Sequence, residues 1–317
     1  MTTNPQNIIN TDLHLMQVVL PFCYFDLFSH PLHLDEIYHF SRYDGLTKDR
    51  IKLFIDQLVA KEIIYCFGEY YAMSNRPDWV NLRLEYNSRA QLYKAKAQKM
   101  AKLIAKFPFV KAVFISGSLS KEIMHENGDI DYFIITRKNC LWMARTFLIL
   151  YKKIFLFNSH KYFCLNYFID ENHLEIEEQN IFTATEIATL LPMYGQKVCQ
   201  NFYNANSWVI EFLPKHQQRP LNDIALEKDN WSTKFLSKIV ESSIGKKLEV
   251  LLMNVTLAFW KRKFNNFDKQ TFEKAFKSRP YISKHHPLNF QAKVLAAYTA
   301  RKQNFEEKYK VIFDEKN

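Results

Sequence analysis

Two aspartates, Asp129 and Asp131, are separated by a single residue at the start of an apolar run. Ten residues earlier, the pair Gly117-Ser118 closes another apolar run. Side chains two residues apart on a strand share a face, so the aspartates are predicted to project together. Paired carboxylates suit Mg²⁺, which prefers oxygen ligands. Gly117 permits a sharp turn close to a phosphate, and Ser118 offers a hydroxyl and a backbone N–H to phosphate oxygens.

This pattern resembles the DNA polymerase β-like nucleotidyltransferase superfamily, which combines a Gly-Ser turn, a spacer and an Asp-hydrophobic-Asp segment on the next strand. The resemblance is close from Val113 to Ile135 and implies the superfamily fold over residues 107–215. It implies Mg²⁺-dependent transfer of a nucleoside monophosphate from an NTP, ATP foremost, to a hydroxyl or amine. Asp129 and Asp131 would be metal ligands and catalytic residues, and Gly117 and Ser118 would hold the triphosphate.

The superfamily also uses a third carboxylate on a neighbouring strand, here predicted over 161–170. Asp170 is the candidate third catalytic residue, on the same face as Asn166, which stands mid-strand. Glu175 and Glu177 lie further along. An amide at the third position would weaken one metal site and supply no base. Three outcomes stay open: Asp170 reaches the site, one metal suffices, or the domain binds nucleotide without turnover.

For other residues near the motif, both a functional and a purely structural interpretation are open. Lys121 is taken as a phosphate-binding residue, and Lys138 and Arg145 are further candidates, with exposed surface charge as the alternative for each. Tyr132 would stack on a base or belong to the core. The pair His285-His286 lacks metal-ligand spacing and is interpreted as loop.

The wider chain is similar to a little-characterised group of prokaryotic nucleotidyltransferase-domain proteins with an N-terminal winged-helix-like module. The similarity rests on the segments 24–28, 166–169 and 180–187. It implies an order of folded units and no substrate.

The elements that must position these residues fall into four predicted parts. They are a winged-helix-like module over 1–80, a linking helix over 81–106, the nucleotidyltransferase domain over 107–215, and a basic helical module over 216–317. Helix and strand patterns alternate in the central part, which predicts an α/β or α+β unit. We expect the chain as a whole to be α+β, with an α/β nucleotidyltransferase core that contains a mixed sheet. After Thr183 the chain is expected to be helical to its end, and Asn87-Ser88 is expected to cap the linking helix.

The third predicted N-terminal helix carries a mixed surface. Lys48, Arg50 and Lys52 alternate there with Asp49 and Asp56. A winged helix often binds DNA through this helix. The mixed charge favours docking or structural support over DNA binding.

Composition limits the class of protein. Hydrophobic residues make up 48% of the 317, enough for substantial cores, and five scattered cysteines without a CxxC pair fit reduced thiols. The N-terminus lacks a secretory pattern, so a cytoplasmic protein is expected. The apolar runs 147–157 and 248–260 fall short of the ~20 residues of a membrane span and are interpreted as buried helices.

Net charge is +10, and residues 229–317 hold 18 Lys/Arg against 9 Asp/Glu. This stretch either makes weak contact with nucleic acid or forms a lysine-rich solvated surface. The acceptor of the predicted transfer is open between a small molecule, a protein and RNA. Two rivals remain: a nucleotide-sensing or DNA-binding regulator with a weak transferase domain, and a toxin-type transferase that modifies a protein or tRNA.

Overall fold

The computed structural model describes residues 17–228, 236, 238 and 240–313. The sequence predicts a first helix from Asp12 to Phe28, and its residues 12–16 lie outside this range. The N-terminal part contains helices α1 (Leu20–Phe25), α2 (Leu34–His39) and α3 (Lys48–Ala60), and strands β1 (Leu32–His33), β2 (Tyr65–Phe67) and β3 (Tyr70–Ala72). Strands β2 and β3 form a hairpin after the three helices, and β1 joins it in a sheet of order β1-β3-β2.

The N-terminal part is linked to the next helix by a partly buried ion pair. The two terminal nitrogens of Arg83, Nη1 and Nη2, donate to Oε2 and Oε1 of Glu36 at 2.7 and 2.9 Å. Burial raises the pKa of Glu36, but the hydrogen bonds from His30 and Arg83 outweigh it and bring the pKa down to about 2. Glu36 also accepts the backbone N–H of His33 at 2.8 Å, within a capping box of α2.

Helix α4 (Asp78–Ile104) is the linking helix. The expectation that Asn87-Ser88 caps it was wrong, because the helix begins at Asp78. The Ser88 hydroxyl instead donates to the carbonyl of Leu84 at 2.9 Å, one turn back within the helix. A serine bonded in this way is compatible with a helix interior, and no proline interrupts the segment.

The centre of the molecule is a six-stranded mixed sheet of order β7-β4-β5-β6-β9-β8. Strands β5 and β6 run parallel and are connected through α5, whereas the other neighbouring pairs are antiparallel. The predicted α+β class with a mixed sheet is confirmed. The strands are β4 (Val110–Ser116), β5 (Asp131–Thr136), β6 (Cys164–Asp170), β7 (Leu191–Tyr194), β8 (Ser278–Arg279) and β9 (Ile282–Lys284), and α5 spans Leu141–Phe155.

The two faces of this sheet belong to different cores. Alternate residues of β4 and β5 divide between them, as strand geometry requires. Phe114 and Phe133 face a cluster shared with the N-terminal part, whereas Val113 and Ile134 face α4 and α5. The sheet is therefore covered on both sides, which leaves its ends for chemistry.

The expectation that the chain is helical after Thr183 was wrong for three strands, β7, β8 and β9. Strands of two to four residues are too short to show a period-two pattern. Two of them come from the stretch 216–317 and pair with the central sheet. The remaining helices are α6 (Ile181–Thr189), α7 (Gln196–Ala205), α8 (Val209–Phe212), α9 (Ser243–Lys263), α10 (Lys269–Ala275) and α11 (Phe290–Tyr309).

The interpretation of the apolar run 248–260 as a buried helix was also wrong. Leu251, Val255 and Phe259 of α9 are exposed, and so are Phe155 and Phe157 at the end of the run 147–157. Periodicity alone does not tell a buried face from an uncovered one. Among the described residues, no helix has the length and apolarity needed to cross a membrane.

Candidate functional site

The Gly-Ser turn and the aspartate pair meet at one end of the β4–β5 hairpin. Ser116 lies opposite Asp131 in the antiparallel register, and Gly117 follows with φ +67°. A Cβ atom on Gly117 would lie 2.3 Å from Oδ2 of Asp131. The carboxylate therefore sits directly over the glycine, and a side chain at residue 117 would displace it. The predicted partnership of Gly117 with the aspartates is present in this geometry.

The turn after Gly117 is held by its own hydrogen bonds. Ser118 is half-buried and precedes a single 3₁₀ turn from Leu119 to Lys121. The Ser120 hydroxyl donates to the Gly117 carbonyl at 2.8 Å, and the Ser118 carbonyl accepts the N–H of Lys121 at 3.0 Å. This local network fixes the backbone beside the carboxylates.

The side chain of Lys121 is bonded to two other groups of the protein. Its Nζ lies 2.8 Å from Oε1 of Glu186 on α6 and donates to the Gly117 carbonyl at 3.1 Å. In this arrangement Lys121 pins the turn to α6. To contact a phosphate as predicted, Lys121 would have to bind the ligand and Glu186 at the same time.

Asp129 and Asp131 form a compact ligand group with a residue that the sequence did not indicate, Cys164. One ligand atom from each of the three lies within 4.8 Å of the other two. Cys164 arrives there because β5 and β6 are parallel and Asp131 pairs with Cys164. The signal was absent from the sequence, because it depends on pairing between strands separated by α5.

The electrostatics of the group fit a bound cation. Burial raises the pKa of Asp131 to about 7, and the nearby Asp129 charge adds to this rise. Burial also raises the pKa of the Cys164 thiol far above its usual range. The two carboxylates supply oxygen donors of the kind that Mg²⁺ and Mn²⁺ prefer. Asp129 and Asp131 would hold such an ion.

Asn166 lies beside the aspartate pair. Its Nδ2 donates to Oδ1 of Asp131 at 2.5 Å, and its Oδ1 accepts the thiol of Cys164 at 3.2 Å. A register shift between Tyr132 and Phe133 lies opposite Asn166. The bulge sets the residue beside the aspartates, since extra residues in a strand redirect side chains.

Asp170 is not part of this site, so its prediction as the third catalytic residue was wrong. It pairs with Thr136, at the other end of β5 from Asp131. Five residues of strand correspond to roughly 17 Å. The Asp170 carboxylate accepts the N–H of Asn172 at 3.0 Å and lies 2.7 Å from Nδ1 of His173. Strand periodicity placed it on the correct face but did not bring it within reach.

The acidic residues beyond Asp170 are also remote. Glu175 and Glu177 line an open cavity of about 630 Å³ at that far end of the sheet, together with Tyr281. They are separate from the aspartate pair.

The remaining candidates divide between core, surface and site. Tyr132 is fully buried, and its hydroxyl donates to the Ala97 carbonyl at 3.2 Å, so it is a core residue. Lys138 is exposed. Arg145 is only 7% exposed, so the alternative of a surface charge was wrong for it. His285 follows β9 in a loop, as expected, and its N–H donates to the Asn166 carbonyl at 2.9 Å.

A search of protein-family models, of curated proteins and of solved structures found no match to this chain.

Proposed function

We propose that the chain is an Mg²⁺-dependent nucleotidyltransferase of the polymerase β-like type. The observation that carries the proposal is the packing of Gly117 against Asp131, with Asp129 alongside. A glycine turn under paired carboxylates is what binding a metal–phosphate complex requires, because the backbone must approach the phosphates closely.

The proposed reaction transfers a nucleoside monophosphate. An oxygen or nitrogen of the acceptor attacks the α-phosphorus of an NTP, the bond to the bridging oxygen breaks, pyrophosphate leaves, and the proton of the acceptor passes to solvent. Bound Mg²⁺ would neutralise charge on the phosphates. Asp129 and Asp131 would position the ion, and the backbone from Gly117 to Ser118 would orient the triphosphate.

Asn166 lies beside Asp131 where a third carboxylate would be needed as a base, and Glu186, whose charge acts on Asp131, is ion-paired with Lys121. Catalysis would then depend on positioning and on the metal charge, which dominate phosphoryl transfer in general. An amine acceptor or an activated hydroxyl suits such a site better than an ordinary alcohol. Small molecules, proteins and RNA all remain candidate acceptors. We also propose a cytoplasmic location, supported by the free state of all five cysteines.

The test is calorimetric binding of each of the four NTPs with Mg²⁺ to the wild type and to Asp129→Asn/Asp131→Asn. Metal-dependent binding is expected in the wild type and at least tenfold weaker binding in the double variant. Glu126→Gln is the matched control, because Glu126 is an exposed carboxylate in the same hairpin. Absence of NTP binding to the wild type would contradict the proposal.

Turnover is tested separately with α-labelled NTP in a cell lysate. Transfer of label to a small molecule, a protein or RNA would identify the acceptor class, including the toxin-type alternative. Pyrophosphate release should depend on Asp129.

A second candidate function is a nucleotide sensor without turnover. It is favoured by the hydrogen bond from Asn166 that occupies one lone pair of Asp131. NTP binding with no label transfer and no pyrophosphate release would support it. A DNA-binding version has less support, because Lys48 and Lys52 of α3 are ion-paired with Asp35 and Asp56. A gel shift with duplex DNA at low salt would test that version.

A further inference from the structure

Two buried cations lie on α5, the helix that connects β5 to β6. Arg145 and Lys152, seven residues apart on α5, are 7% and 4% exposed. Residues at this spacing lie on one face of a helix. Buried arginine and lysine are normally paired with a carboxylate. In the part of the chain that the structure describes, neither forms an ion pair, although Asp129 acts on Lys152 electrostatically.

Among the described residues, the contacts of the Arg145 guanidinium are with aromatic rings. Its guanidinium carbon lies 4.7 Å from the ring centroid of Trp260 and 5.8 Å from that of Trp142. Burial lowers the pKa of Arg145 to about 10. Within the described residues its N–H groups find no hydrogen-bond acceptor. A guanidinium has five N–H donors and binds anions bidentately, so the local structure leaves its main capacity unused.

Lys152 has a neutral base as its partner. Its Nζ lies 3.0 Å from Nδ1 of His160, in the loop before β6. Burial lowers the pKa of both groups. A lysine that donates to a neutral histidine keeps its positive charge uncompensated, and Lys152 has no other hydrogen bond among the described residues.

His285 joins these residues to the aspartate pair. Its ring centroid lies 5.0 Å from that of Trp260, under Arg145, and its backbone N–H donates to the carbonyl of Asn166. Asn166 in turn donates to Asp131. The charge of Lys263, exposed at the end of α9, acts on both His160 and His285. We call Arg145, Lys152, His160, Lys263 and His285 the basic cluster.

We propose that the basic cluster binds a phosphate group of a substrate, with Arg145 and Lys152 as its main ligands. The inference rests on the proposed function, because it extends that site from the aspartates across the start of β6 to α5. A phosphate dianion would supply acceptors for the guanidinium and charge for the lysine in a dry setting, where such bonds are strong. Two sources share this chemistry: the triphosphate or pyrophosphate of the NTP, and a phosphorylated acceptor.

The test uses Arg145→Met and Lys152→Met, with Lys153→Met as the matched control. Lys153 is the exposed neighbour of Lys152. Inorganic phosphate and pyrophosphate are titrated calorimetrically without metal, in the presence of EDTA. We expect binding to weaken at least tenfold in each cluster variant and to be unchanged in the control. Removal of an uncompensated buried charge should raise the melting temperature of Arg145→Met, so lost binding would not reflect misfolding.

The two sources are separated by Mg²⁺-ATP. If Arg145→Met weakens ATP binding together with pyrophosphate binding, the cluster holds the triphosphate. If ATP binding persists while phosphate binding is lost, the cluster holds a phosphate of the acceptor. The wild type failing to bind either anion, or folded Arg145→Met binding both normally, would overturn the inference. Metal-free anion binding does not require the aspartates, so Asp129→Asn tests the proposed function independently.

Discussion

Asn166 donates a hydrogen bond of 2.5 Å from its side-chain nitrogen to Oδ1 of Asp131. This bond places an uncharged amide where the resemblance to the polymerase β-like superfamily implies a carboxylate. It also couples β6 to β5 at the point where the strands begin. The charge of the site therefore rests on two aspartates rather than three.

Replacing Asn166 with aspartate should strengthen metal binding. A third carboxylate beside Asp131 adds negative charge to the cation site, and about a tenfold gain in Mn²⁺ affinity is expected, or about 1.4 kcal/mol. The metal-free variant should melt at a lower temperature than the wild type, because three carboxylates repel one another. Mn²⁺ titration followed by electron paramagnetic resonance measures the first effect, and melting with EDTA measures the second. Asn166→Ala is the uncharged control, and equal Mn²⁺ affinity in both variants would place the metal elsewhere.

Gly117→Ala should lose nucleotide binding while the chain still folds. The new Cβ would lie 2.3 Å from Oδ2 of Asp131, and φ +67° adds strain of about 1 kcal/mol. Gly68→Ala is a close control, because Gly68 also has φ +67° but a Cβ added there would meet nothing within 4 Å. Both variants should lose similar backbone stability in urea titrations, and only Gly117→Ala should lose Mg²⁺-dependent NTP binding. Normal binding by Gly117→Ala would show that the carboxylate position is not critical.

The Glu36–Arg83 pair should make stability depend on acid pH. The pKa of Glu36 falls from its usual 4.5 to about 2 in the folded chain. Because the folded-state value is depressed, its contribution is full above pH 4.5 and is lost as pH falls from 4.5 towards 2. Glu36→Gln should remove roughly 1–2 kcal/mol of this pH-dependent stability, allowing for solvent screening. Urea unfolding between pH 2 and 6 measures it.

The control for this pair is Asp78→Asn, which breaks the exposed ion pair with Arg76. It should leave the pH profile nearly unchanged. A wild-type profile that is flat from pH 2 to 5 would contradict the assigned role of Glu36.

Glu249 should be an essential cap of α5. Its carboxylate on α9 accepts the backbone N–H groups of Trp142 and Met143 at 2.9 and 2.8 Å, where the helix has no side-chain cap of its own. Glu249→Ala should cost about 2 kcal/mol, because two N–H groups lose their acceptor. Urea denaturation measures the loss, and an exposed change on the same helix, Lys246→Ala, is the control. A loss of stability in Glu249→Ala no greater than that in Lys246→Ala would contradict the capping role.

The same residue predicts a second pH effect, of opposite sign to that of Glu36. Burial raises the pKa of Glu249 to about 7. A raised carboxyl pKa means that the folded state binds the proton more tightly, so stability falls as pH rises from about 4.5 through 7. Glu249→Gln should flatten that interval in melting experiments. An unchanged slope in Glu249→Gln would assign the effect to another group.

The part of the site that the sequence predicted is local in the chain. Gly117 and Asp131 belong to one hairpin, so spacing and strand periodicity were enough to bring them together. Cys164 and His285 were not predicted as part of the site. Their positions depend on the pairing of β6 with β5 and of β9 with β6, across long connections. For Asp170, strand periodicity predicted the face on which the side chain lies. It did not predict how far along the sheet Asp170 lies from Asp131.

Burial was the other property that the sequence did not disclose. Arg145 was expected at the surface if it did not bind phosphate, since arginine is rarely buried alone. Its burial depends on Trp260, more than a hundred residues later in the chain. For α9 the error was the opposite one, because its apolar residues were expected to be buried and one face of them is exposed.

The position of β9 in the sheet has a consequence for synthesis on the ribosome. Strand β7 ends at Tyr194, but β8 and β9, which cover β6, begin only at Ser278. Until those residues emerge, a nascent chain carries β6 as an open edge, and such edges pair with other chains. The late strand also brings His285 to Asn166. Completion of the sheet thus coincides with the placement of His285 beside Asn166, and a chain stalled before Ser278 would leave β6 exposed and be prone to aggregate.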